Sequence, residues 1–115
     1  MTTSLAWIKE QEPSKQALLR AARSLVQRHA PHATEHVYPG WNALGYKAPG
    51  LFCVIYPYGT GVKIAFERGR DLIDPHALLQ QTGKRMKFVF IERTSELSDS
   101  VGAFVAQAAA LAADD

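Results

Sequence analysis

Apolar residues recur at helical spacing between Pro13 and His29, where Leu18, Ala22, Leu25, Val26 and His29 fall on one side of a helix. Pro13 suits a first-turn position and Pro31 ends the pattern, while Lys15, Arg20, Arg23 and Gln27 mark the opposite, solvated side. Upstream, Ser4 to Gln11 predicts a short additional helix anchored by Trp7 and Ile8. The middle of the chain changes period, with β-branched and aromatic runs broken by proline and glycine. Strands are predicted over Thr34–Tyr38 and Ala43–Tyr46, joined by Pro39-Gly40-Trp41-Asn42. A hairpin follows from Leu51–Tyr56 and Val62–Glu67, whose connection Pro57-Tyr58-Gly59-Thr60-Gly61 has glycines able to take positive φ.

Beyond that hairpin, Asp74-Pro75 reads as an N-cap and first-turn proline, predicting a helical turn over His76–Gln80 that Gly83 ends. Met86–Glu92 returns as a strand. Ser95 or Ser98 caps a last helix whose apolar stripe is Leu97, Val101, Phe104, Val105, Ala108 and Leu111, slightly weakened by Gly102. Helix, four to five short strands and helix give an α+β fold, an antiparallel sheet with the N- and C-terminal helices packed on one face. Alternation sends Val62, Ile64, Phe66, Val89 and Ile91 to the helices. Lys63, Ala65, Glu67, Phe88 and Phe90 then lie on the far side. Two phenylalanines exposed there make an apolar patch suited to a partner or to a homodimer, unless the N-terminal segment or a loop covers them.

At 115 residues, 47% apolar and 21% charged, the chain has room for one domain, 1–115 with a core of about 14–112, and has no signature of disorder. A net charge of +2 is too small to mark a nucleic-acid binder. The lone Cys53, inside an apolar run, reads as a buried thiol in a reducing compartment. The opening MTTSLAWIKEQEP carries no leader pattern and no segment approaches a membrane span, so a cytoplasmic location is expected.

Arg68-Gly69-Arg70-Asp71-Leu72, Asp74-Pro75, Leu78-Leu79 and Gly83-Lys84-Arg85-Met86 follow Val62, Ile64 and Phe66 and, further upstream, Gly40-Trp41-Asn42 and Tyr46. Together these resemble the bacterial YdhG-like domain family of unknown function, over residues 14–112. The resemblance implies an α+β fold and a binding role, and it supplies no catalytic residues. The family is similar in outline to the frataxin-like and YjbR-like group, in which some members are labelled iron chaperones. This chain departs from the family pattern at Gln81, where a glycine is usual, and at Phe88 and Phe90, where basic residues or histidine are common.

Two sites follow for small ligands. Arg68 and Arg70 end one strand while Lys84 and Arg85 begin another, so antiparallel neighbours bring all four to one sheet edge. Gly69 and Gly83 would let backbone N–H groups approach an anion there, with the start of the His76 helical turn adding a favourable dipole. Trp41 and Tyr46, with Tyr56 and Tyr58, supply aromatics with polar handles, and a pocket between the Trp41 loop and the basic turns is the preferred small-ligand site. His29, His32 and His36 are the nearest thing to an iron site, but the dense acidic ridge that hard-metal binding needs is missing, so no metal ligand is assigned. No nucleophile elbow, phosphate loop or dinucleotide fingerprint occurs. The expected role is non-enzymatic binding: a self-associating or partner module through Phe88, Phe90, Lys63 and Ala65. The alternatives are a carrier of a small anionic ligand or, by family label, an iron chaperone.

Overall fold

The computed structural model describes residues 3–81 and 83–114. Helices α1 (Ser4–Lys9) and α2 (Pro13–His29) precede strands β1 (Thr34–Tyr38), β2 (Ala43–Lys47), β3 (Leu51–Tyr58), β4 (Gly61–Phe66), β5 (Gln80–Gln81) and β6 (Lys87–Ile91), and α3 (Asp99–Ala113) closes the chain. The strands form one antiparallel sheet in the order β1-β2-β3-β4-β6-β5. Residues 34–38, 51–58 and 61–66 extend as their branched and aromatic content predicts, and Tyr58 pairs with Gly61 across a two-residue Gly59-Thr60 loop. Gly59 has φ +54°, a conformation that a side chain would disfavour.

β4 and β6 are neighbours, with Val62 opposite Ile91 and Ile64 opposite Val89. These four residues are buried under α2 and α3. Leu19 and Val26 of α2, Val105 of α3, and Ile55 and Ile64 of the sheet are each fully enclosed, which contributes about 1.5–3 kcal/mol per side chain. Phe66 meets Phe104 edge to face, ring centroids 6.1 Å apart at 71°. α1 adds Trp7 and Ile8 to the same core. His29 is exposed and is not part of the α2 apolar stripe; its ring lies where a Cβ on Gly102 would stand, so Gly102 permits the close approach of α2 to α3.

Three features differ from the sequence reading. The described residues hold six strands, because Gln80 and Gln81 pair with Phe88 and Lys87 at the sheet edge. The segment His76–Gln80 is not helical, and the short helical turn lies earlier, as a 3₁₀ turn at Gly69–Asp71. Asp74 still acts as a cap, its carboxylate accepting the Leu78 and Leu79 N–H groups at 2.9 Å each, but Ala77 at φ +51° turns the chain out toward β6. Finally, Lys15 is buried along its stem while its ammonium reaches Glu12 at 3.7 Å, so the solvated side of α2 is narrower than predicted.

Candidate functional site

Opposite the helices no described element covers the sheet, and its surface dips where short side chains stand in register. Gly45 pairs with Val54, Val54 with Ala65, and Ala65 with Phe88, crossing β2, β3, β4 and β6. Side chains on one face of adjacent strands are about 5 Å apart, so short ones side by side leave a trough between taller neighbours. Ala43, Val54 and Ala65 floor it, with Trp41 and Tyr56 on one side and Leu51, Glu67 and Met86 on the other. The cavity is about 420 Å³ and its walls are apolar except for Glu67. That volume falls in the range of small-molecule sites.

The Trp41 wall is held through Tyr38 and through Asn42. Its ring stacks on Tyr38 with centroids 5.0 Å apart at 25°. The Tyr38 ring in turn lies flat over Gly45, where a Cβ would come within 2.9 Å of Tyr38 Cδ2. Asn42, next in the loop, takes φ +50°, which asparagine tolerates better than most residues. Its Oδ1 accepts from Trp7 Nε1 at 3.0 Å and from Gln11 Nε2 at 3.2 Å, and its Nδ2 donates to Gln11 Oε1 at 3.2 Å. α1 therefore clips the loop in place while Trp41 stays 63% exposed. A large aromatic ring fixed in solvent contact has little ordering entropy left to lose on binding.

A second cavity of about 470 Å³ adjoins the groove and shares Leu51, Glu67 and Met86 with it. Arg68, Gly83, Lys84 and Arg85 line this mouth. Arg68 is engaged: its Nε binds Asp71 at 3.0 Å and its Nη1 donates to the Leu111 carbonyl at 3.4 Å, offsetting the partial negative charge at the end of α3. Lys84 and Arg85 are exposed and form no ion pair among the described residues. The Arg70 N–H donates to the Arg85 carbonyl at 2.9 Å, which ties the two basic turns together, but the Arg70 side chain lies outside the mouth. Gly69 does not offer its N–H to a ligand; it is buried against the Lys87 backbone and lets the 3₁₀ turn approach β6. With residues 76–80 not helical, no helix dipole reaches the mouth from that segment.

Tyr46 belongs to the other side of the sheet. It is 1% exposed, and its hydroxyl donates to Glu35. Burial, the hydrogen bond to Glu35 and that carboxylate's charge push the hydroxyl pKa far above the usual tyrosine value. Glu35 also accepts from Ser4 Oγ and, at 3.0–3.2 Å, from Arg23 Nε and Nη2. Burial raises the Glu35 pKa, but the hydrogen bonds from Arg23, Ser4 and Tyr46 and the Arg23 charge outweigh it, so the net direction is down. The four side chains join α1, α2, β1 and β2. Arg23 is thus no member of a solvated face; the signal for this was Glu35 at a helix-facing alternation position of β1, where a carboxylate needs a cation.

Phe88 and Phe90 do lie on the open face with Lys63 and Ala65, opposite them in register. They do not form a bare patch. Phe88 is 9% exposed and Ala65 1%, and the Lys63 ammonium stands 4.0 Å over the Phe88 ring and 3.7 Å over that of Tyr58. Tyr58 meets Phe90 edge to face at 6.3 Å. This cluster bounds the groove on the side away from the basic mouth.

Cys53 is buried, and burial raises its thiol pKa well above the ordinary value, the setting of an inert thiol. His29, His32 and His36 are exposed, and among the described residues no group of three or more His, Cys, Asp or Glu side chains is placed to hold a metal ion. No helix among the described residues is long and apolar enough to cross a membrane. Residues that sequence reasoning did not assign to the site are Ala43, Leu51, Val54, Glu67 and Met86; the small residues at 43 and 65 were the available signal. No family model matches the chain, no curated protein matches it and no solved structure matches it.

Proposed function

We propose that the protein is a non-enzymatic carrier of a small, partly apolar molecule held in the groove on the open sheet face. The observation that carries this reading is Trp41, fixed by Tyr38 and Asn42 yet exposed beside a floor of small residues. Such a wall is worth building only if something flat is to stand against it: burial of an aromatic ligand between Trp41, Tyr56 and Met86 removes apolar area from water on both partners. Met86, unbranched and polarisable, adapts to ligands of different outline. The carrier reading is favoured over a self-associating Phe88/Phe90 face because Lys63 already covers Phe88.

Calorimetric titration with the neutral planar probe 2-naphthamide tests the proposal. Val54→Phe places a ring on the groove floor from a half-buried position and leaves the helix-side core untouched. Saturable binding to the wild type, weakened about tenfold in Val54→Phe at nearly unchanged melting temperature, is expected, since losing 1.4 kcal/mol of contact is a factor of ten. Absence of saturable binding, or equal affinity in the variant, contradicts it.

A further inference from the structure

We infer that the molecule carried in the groove bears one anionic head, a carboxylate or phosphate, which rests in the adjoining basic mouth on Lys84 and Arg85 while its planar body lies against Trp41. The inference rests on the carrier reading and adds the ligand's charge and its direction. The groove and the mouth adjoin, because Leu51, Glu67 and Met86 line both. A molecule lying against Trp41 and extending past Met86 therefore has its far end in the cavity that Lys84 and Arg85 line.

Charge fixes which end goes where. Among the described residues the groove lining holds no cation, and its one charged side chain is the carboxylate Glu67. Glu67 walls both cavities and repels an anion in either, so what sends the head to the mouth is that Arg68, Lys84 and Arg85 line only that cavity. There Lys84 and Arg85 stand exposed without an ion-pair partner among the described residues, one a compact ammonium and the other a planar fork matched to two oxygens. The carbonyl end of α3 would oppose an anion at this place, but Arg68 donates to the Leu111 carbonyl there. Glu67, between body and head, accepts a hydrogen bond from a hydroxyl or N–H on the ligand and excludes a second negative group. The preferred ligand thus carries a single anionic head at one end of a flat apolar body.

The test compares 2-naphthoate and 2-naphthyl phosphate with 2-naphthamide, on the wild type and on the Lys84→Gln, Arg85→Gln double variant, at low and at high salt. At least one anion is expected to bind the wild type roughly fivefold or more tightly than the amide, as two partly exposed charge contacts supply. That preference disappears in the double variant and shrinks in high salt, while amide affinity is unchanged in both. The tighter of the two anions identifies the head group. If the amide binds and neither anion gains, or if the gain survives in the double variant, the anionic head is refuted and the groove reading stands. If none of the three probes binds, both readings fall.

Discussion

Glu35 shows how one carboxylate can hold four elements together. It accepts from Ser4, Tyr46 and Arg23, and its side chain is only 16% exposed, so losing the charge removes charge-assisted bonds where water replaces them poorly. Glu35→Gln is expected to lower unfolding free energy by about 1–3 kcal/mol at neutral pH, read by urea denaturation. Because the folded pKa lies below the unfolded one, the contribution is fully present above the ordinary glutamate value of about 4.3 and is lost as pH falls through the lower folded value. Wild type and variant should therefore converge in stability on acidification. A gap that stays constant down to pH 2 would show that the carboxylate charge contributes nothing. Tyr46 takes part here rather than at the groove, although its sequence context sits beside Trp41. The four residues Ala43, Leu44, Gly45 and Tyr46 are all buried, so β2 reads as a continuous run and alternation could not tell which side each one faces.

Among the elements, the β1–β2 hairpin is the one that builds the site. Gly45 leaves room for the Tyr38 ring, and Tyr38 supports Trp41, so a single methyl group at 45 propagates to the groove wall. Gly45→Ala should cost about 1–3 kcal/mol through overpacking, and should weaken 2-naphthamide binding although residue 45 does not line the cavity. Unchanged binding in a destabilised Gly45→Ala protein would mean that Tyr38 does not position Trp41. The β4–β6 pair was legible because its period-2 pattern is clean: Val62, Ile64, Val89 and Ile91 inward, Lys63 and Phe90 outward. The segment between them was not. Asp74-Pro75 carries the same cap chemistry whether a helix or a turn follows, and Ala77 at positive φ has no sequence signature. A two-residue glutamine strand has no apolar alternation to announce it, and β5 exists through pairing with β6 alone.

At the scale of the whole molecule, the three described helices lie on one side of the sheet and the groove lies on the other, with the basic mouth at the end of the sheet where α3 reaches it. One side holds the core and the Glu35 network; the other holds an aromatic wall and a trough, and the basic mouth joins the trough at the sheet end beside Ala108 and Ala112 of α3. The division was legible from element order and strand alternation, which leave one face of an antiparallel sheet uncovered. The trough was not, because it depends on cross-strand register, which sets Val54 of β3 beside Ala65 of β4. The most direct test of the account is a nuclear magnetic resonance titration of the wild-type protein with 2-naphthoate, followed through methyl and indole signals. The account predicts progressive shifts at Ala43, Val54, Ala65, Met86 and the Trp41 indole, with Val26, Val105 and the Trp7 indole still. Shifts confined to the helix side, or none at saturating probe, would contradict it.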